Sequence, residues 1–201
     1  MKRLLRSSVP FEIPADFLQG RARLDVPVLV FGVSRGWLAE SDAIALVAAG
    51  STGPDQAAAL EAIRAAAGER SLAVSDESHV HESGSVLGDS PAGVWLYLAS
   101  AYWTAELARI PDWPDGLDGF ELLFCEFGHP DEFSDLIRWM PAKPGEPRGP
   151  AAIEDRRRRY LIEAARRFAP AGVGGSASGS ARWSRITALL DWLHARTIGR
   201  D

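Results

Sequence analysis

A serine between two glycines, in Gly32-Val-Ser34-Arg-Gly36, has the spacing of the nucleophile elbow of serine hydrolases. In that interpretation Ser34 would attack the substrate, and His129 or His194 would act as its base. The elbow requires a strand before the serine, inside a parallel sheet. The 31 residues that precede Gly32 and the chain that follows Gly36 show no alternation of strands and helices. The pattern therefore favours a helix that ends at Gly36.

Two imidazoles and a carboxylate in His79-Val-His81-Glu82 could begin a metal site if a distant residue completed it. Imidazoles two positions apart face the same side only when the segment is extended. Residues 69–90 are rich in Ser, Gly, Asp and Glu and have no clear period, which favours a solvated loop. We expect no metal and no other cofactor. A hydrolase that uses Ser34 or a His79/His81 metal site is the alternative.

The chain has one cysteine, Cys125, which excludes a disulfide framework and any multi-cysteine zinc site. Its neighbours Phe124 and Phe127 predict a buried, inert thiol. A single thiol also fits a reducing cytoplasm. The basic start of the chain is not followed by the apolar run of a signal peptide. No stretch reaches the roughly 20 apolar residues of a membrane span, so we expect a cytoplasmic protein without membrane association.

Charge is unevenly distributed along the 201 residues, whose net charge is -5. Residues 151–201 hold 10 Arg and 5 acids, a net charge of +5, so residues 1–150 carry a net charge of -10. Between residues 110 and 137 there are eight carboxylates and no lysine or arginine. These carboxylates belong to Asp112, Asp115, Asp118, Glu121, Glu126, Asp131, Glu132 and Asp135. Such a surface attracts a basic partner and speeds the encounter with it.

The opposite charge is concentrated in four consecutive arginines, Arg156 to Arg159. Four consecutive residues of a helix point in different directions, so they do not form one phosphate clamp. Arg157 falls between Ile153 and Leu161 on the apolar stripe and must either extend to solvent or pair with an acid. We expect a solvated helix whose arginines pair with the acidic part of the chain. An adaptor or RNA binder that uses the Arg156–Arg159 helix is a second alternative.

The spacing of apolar residues is helical through most of the chain and predicts an all-α fold. We expect about eight short to medium helices packed around a buried central helix at residues 91–109, whose apolar residues occupy every face. Residues 1–170 would form one helical domain, 171–180 a Gly/Ser linker, and 181–201 an amphipathic helix packed on the same core. The predicted helices cover residues 13–20, 26–35, 41–50, 54–67, 91–109, 115–127, 130–140, 151–168 and 181–201.

Two stretches, Val94–Trp103 and Glu126–Pro141, resemble a bacterial family catalogued as domain of unknown function 2247. The second stretch is the more specific, with Pro-Asp-Glu near its start and Trp-Met-Pro at its end. Ile13–Phe17, followed by Gly36-Trp-Leu, is similar to the start of that family. The resemblance covers about residues 11–168. It implies a helical bacterial cytoplasmic protein and supplies no catalytic residues; relatives of this kind resemble immunity components beside secreted toxins.

The sequence therefore favours a non-enzymatic protein-binding domain. Its most concrete form is an immunity-type inhibitor that binds a basic toxin domain through an acidic surface. The acidic balance of the chain argues against nucleic acid as the partner. The residues expected to bind the partner are Asp112, Asp115, Asp118, Glu121, Asp131, Glu132 and Asp135.

Overall fold

A computed structural model describes residues 12–50, 55–73, 87–105, 119–142 and 144–170. Within these ranges the chain forms seven α-helices and one 3-10 helix and no strand, which confirms the all-α prediction. The α-helices are α1 (Ala15–Leu18), α2 (Val26–Arg35), α3 (Glu40–Ala48), α4 (Gln56–Ala73), α5 (Pro91–Ala105), α6 (Gly119–Glu126) and α7 (Pro150–Arg167). The 3-10 helix, Asp131–Leu136, lies between α6 and α7.

Helix α5 is the buried centre of the fold, as its apolar faces predict. Eleven of its fifteen residues are buried, and it contacts α2, α6 and α7. Trp95 is fully buried, and its indole N–H donates to the carbonyl oxygen of Val28 in α2 at 2.6 Å. The hydrogen bond removes the penalty of burying an indole N–H, so the whole ring contributes to the core.

Helix α2 begins and ends as its sequence predicts. The Asp25 carboxylate accepts from the backbone N–H of Val28 at 3.2 Å and so caps the helix. Gly36 ends the helix with φ 76°, a left-handed conformation that glycine adopts without steric cost. Gly32 has a different role, because a Cβ at this position would lie 2.0 Å from Cζ2 of Trp95. The two glycines beside Ser34 therefore serve helix packing and helix termination.

Several predicted helix boundaries are wrong: α1 is shorter at both ends than the predicted 13–20, and the boundaries of α3 and α4 also differ. Helix α3 begins at Glu40, after Ala39, and not at Ser41. The Asp42 carboxylate accepts from the backbone N–H of Ala15 at 3.1 Å, so it caps α1. Helix α4 continues through Gly68 to residue 73, so residues 69–73 of the expected loop are helical. An exposed glycine inside a helix costs only about 1 kcal/mol, and the residues after it favour helix.

The helix predicted at residues 130–140 is instead a single 3-10 helix followed by a turn. Its first turn is tightened by Ser134, whose hydroxyl donates to the carbonyl oxygen of Asp131 at 2.7 Å. The predicted linker at 171–180 and the last helix at 181–201 lie outside the described residues. Every helix within the described ranges is too short or too polar to cross a membrane.

Candidate functional site

The chain makes a tight turn where α6 ends. Gly128 and His129 both adopt positive φ, 73° and 61°, and His129 is the one non-glycine residue to do so in the described part of the chain. The backbone N–H of His129 donates to the carbonyl oxygen of Phe124 at 2.8 Å. Its exposed imidazole meets the ring of Phe124 edge-on, with 4.8 Å between ring centroids. A left-handed conformation is uncommon outside glycine, and here it sets the imidazole against α6.

Trp139 lies against the same phenyl ring. Its centroid is 5.6 Å from that of Phe124, again in an edge-on arrangement. Its exposed fraction is 54%, and it is the one large apolar side chain exposed among the described residues. An indole held by an aromatic neighbour and still half open to solvent is typical of the anchor residues of protein interfaces.

Helix α7 holds the segment that carries these side chains. Arg156 donates from Nε to the carbonyl oxygen of Asp135 at 2.8 Å and from Nη1 to that of Pro147 at 2.9 Å. Arg157 donates from Nε to the carbonyl oxygen of Leu136 at 2.9 Å. The last carbonyls of a helix have no partner within it, and guanidinium groups are favourable donors to them. Two of the four arginines therefore fix the end of the 3-10 helix.

The arginine run also forms ion pairs within α7. Arg157 is buried, as its place on the apolar stripe suggests, and it pairs with Glu154 at 3.1 Å. Its guanidinium carbon lies 4.4 Å from the centre of the Phe120 ring. Arg158 and Arg159 both pair with Asp155, the latter at 3.2 Å. These contacts give the arginine run a structural explanation.

The predicted acidic residues have different environments. Asp131 and Glu132 are exposed in the first turn of the 3-10 helix, and Asp135 is half-buried. The expectation that Glu121 belongs to an exposed acidic surface is wrong: its side chain is 2% exposed. Both of its oxygens accept hydrogen bonds from Arg138, the first residue after the acidic stretch, at 2.9 Å each. Asp112, Asp115 and Asp118 lie outside the described residues.

We call the exposed side chains of His129, Asp131, Glu132 and Trp139 the Trp139 surface. A family model described as uncharacterised protein conserved in bacteria (DUF2247) matches residues 15–165, from the start of α1 almost to the end of α7. The chain belongs to the DUF2247 family. The matched range includes the whole Trp139 surface. Neither the curated proteins nor the solved structures contain a match to the chain.

In this DUF2247 chain, Ser34 does not stand on a nucleophile elbow, because residues 26–35 form a helix. Its hydroxyl donates to the carbonyl oxygen of Phe31, three residues earlier, at 2.9 Å. His79, His81 and His194 lie outside the described residues. In the part of the chain that the structure describes, no three His, Cys, Asp or Glu side chains are grouped as metal ligands.

The prediction of a buried thiol at Cys125 is wrong, because the side chain is exposed at the end of α6. Partial burial raises the pKa of the Cys125 thiol, and the nearby carboxylates of Glu121 and Glu126 raise it further. Both effects disfavour the thiolate, which is the nucleophilic form. Cys125 is therefore accessible to solvent but is not activated as a nucleophile.

Two members of the Trp139 surface, His129 and Trp139, were not among the residues expected to bind a partner. The charge pattern indicates carboxylates and carries no information about the aromatic side chains next to them. A tryptophan beside an arginine, in a short segment bounded by Pro130 and Pro141, is the pattern that could have indicated an exposed anchor.

Proposed function

We propose that the chain is a non-enzymatic protein-binding domain and that the Trp139 surface is its binding site. The observation that carries the proposal is the 54% exposure of Trp139 on a segment held by α6 and α7. Tryptophan supplies a large contact area with little loss of side-chain entropy, so it is enriched among residues that dominate binding energy. The fixed segment lowers the entropy cost of binding further.

Charge favours a basic partner. Asp131 and Glu132 are exposed on the same segment, and residues 1–150 carry a net charge of -10. Exposed carboxylates on the segment that carries the aromatic anchor attract lysine and arginine side chains and raise the association rate. A cationic side chain can also stack on an exposed indole. In its most concrete form the partner is a basic toxin domain, which the chain would cover as an immunity-type inhibitor does.

The test uses the full chain as bait, with the captured protein identified by mass spectrometry and then purified for titration calorimetry. Trp139→Ala should weaken binding by about 30-fold, the loss expected for a central tryptophan. Neutralising the two acids with Asp131→Asn and Glu132→Gln should slow association and flatten its dependence on salt.

A matched charge control is available on α4, where Glu61 and Glu69 are exposed. Glu61→Gln with Glu69→Gln removes the same net charge and should leave the affinity within about twofold of the original, since distant surface charges are screened. If Trp139→Ala binds the partner as tightly as the unchanged chain, the proposed site is wrong. The inhibitor form further requires that co-expression of the chain, and not of Trp139→Ala, relieves toxicity of the partner.

A further inference from the structure

An ion pair between a buried carboxylate and a half-exposed arginine adjoins the Trp139 surface. Arg138 places Nε and Nη2 at 2.9 Å from the two carboxylate oxygens of Glu121, a two-bond arrangement that fixes the orientation of both groups. The Glu121 side chain is 2% exposed and that of Arg138 is 49% exposed. The pair therefore connects the interior of α6 to a surface residue immediately before Trp139.

Helix α6 contacts the segment at a second point. Phe124 follows Glu121 by three residues, and side chains three apart share a face of a helix. The Phe124 ring meets Trp139 edge-on, while Glu121 holds the preceding residue. One face of α6 thus holds two consecutive residues of the segment, Arg138 through charge and Trp139 through its ring.

Stability alone gives a weak reason for a buried carboxylate at this position. Desolvating a charge is costly, and replacing a buried ion pair by apolar side chains of similar volume is often neutral or stabilising. What an ion pair with two hydrogen bonds supplies, and apolar contact does not, is a defined direction. The direction matters here because the next residue is the exposed indole.

We propose that Glu121 is a positioning residue for the Trp139 surface: through Arg138 it fixes the orientation in which Trp139 meets its partner. This inference rests on the proposed function of that surface. It assigns to Glu121 a role beneath the interface, in place of the direct contact expected from the sequence.

The decisive variant removes both charges together, Glu121→Met with Arg138→Met, so that no buried charge is left without its partner. Urea unfolding should show stability close to that of the unchanged chain. The orientation of Trp139 is read by ¹⁹F NMR of the protein labelled with 5-fluorotryptophan, and Trp139→Phe assigns its resonance. In the double variant this resonance should shift or broaden, while the buried Trp95 resonance stays in place.

The affinity of the double variant for the partner is the second measurement. Loss of the fixed orientation should weaken binding by about 3- to 10-fold, the cost of immobilising one side chain on binding. A control variant, Asp89→Ala with Arg167→Ala, removes the ion pair between the start of α5 and the end of α7. It should leave both the Trp139 resonance and the affinity unchanged.

Failure of the inference differs from failure of the proposed function. If the double variant is stable and leaves both the Trp139 resonance and the affinity unchanged, Glu121 does not position Trp139, whatever Trp139→Ala does to binding. If the Trp139 resonance moves and Trp139→Ala has no effect on binding, Glu121 positions the indole but the surface is not the binding site. Should the double variant fail to fold, Arg138→Lys serves instead, since lysine keeps the charge and loses the two-bond geometry. An unchanged Trp139 resonance in that variant would overturn the proposal.

Discussion

Two glycines inside helices, Gly32 in α2 and Gly68 in α4, allow one substitution to be tested in opposite environments. Alanine is favoured over glycine in a helix interior by about 1 kcal/mol, so helix propensity alone would make both changes stabilising. A Cβ at Gly68 meets no atom within 4 Å, whereas at Gly32 it would lie 2.0 Å from Cζ2 of Trp95. The environments therefore decide the sign.

Trp95 is fully buried and is held by its hydrogen bond to Val28, so it has little freedom to move away from a new methyl group. Overpacking a core costs about 1–3 kcal/mol, and contact with a rigid ring belongs at the upper end. After the gain in propensity is subtracted, Gly32→Ala should lower the free energy of unfolding by about 2 kcal/mol. Gly68→Ala should raise it by about 0.5–1 kcal/mol.

Urea unfolding followed by far-ultraviolet circular dichroism measures both changes. In a Trp95→Leu background, which removes the clashing ring, Gly32→Ala should lose most of its destabilising effect, because residues in contact are not additive. Equal stabilisation by Gly32→Ala and Gly68→Ala would refute the close packing of α2 on α5. Packing against Trp95 would then no longer explain the glycine two residues before Ser34.

Three further outcomes are expected. Burial raises the pKa of Tyr97 to about 12 and that of Tyr160 above its usual range. Above about pH 10 the unfolded chain loses these protons while the folded protein still keeps them. The stability that the two buried tyrosines contribute is therefore complete below about pH 10 and is lost as the pH rises through the folded pKa values. Urea unfolding at pH 9 to 11 should show a fall of up to about 1.4 kcal/mol per pH unit for each tyrosine, and Tyr97→Phe should reduce the slope. Arg157→Ala leaves the Leu136 carbonyl without the guanidinium donor and should lower the free energy of unfolding by about 2–3 kcal/mol. The exposed Arg159→Ala should lower it by less than about 0.5 kcal/mol. Equal losses would contradict the structural role of Arg157. A thiol reagent should modify Cys125 in the folded protein more slowly at pH 7 than in urea, and equal rates would show that its pKa is not raised.

Local signals in the sequence were sufficient for the parts of the fold that depend on neighbouring residues. Asp25 and Gly36 mark the two ends of α2 because capping involves only the adjacent turn. The central place of α5 followed from apolar residues on all its faces. The extent of α4 does not follow from Gly68, because a glycine raises the free-energy cost of a helix without ending it.

The environment of Glu121 depends on long-range contacts, which the distribution of charge along the sequence does not reveal. Its partner Arg138 is 17 residues away, just after the acidic stretch at 110–137, and only the turn after α6 brings the two together. The exposure of Cys125 has the same origin: its aromatic neighbours Phe124 and Phe127 occupy the buried face of α6 and leave it outside. Which face of a short helix is buried is decided by the elements around it.

The hydrogen bonds from Arg156 and Arg157 to the carbonyls of Asp135 and Leu136 join two stretches that are separated in the sequence. The acceptors are backbone carbonyls, which any residue supplies, so the constraint falls on α7, and we expect a side-chain donor at positions 156 and 157 wherever the 3-10 helix is kept across the family. A chimera that moves residues 130–140 of this chain into a relative without such donors needs the α7 of this chain as well. Transplanted alone, the segment would arrive without the donors that give it its shape.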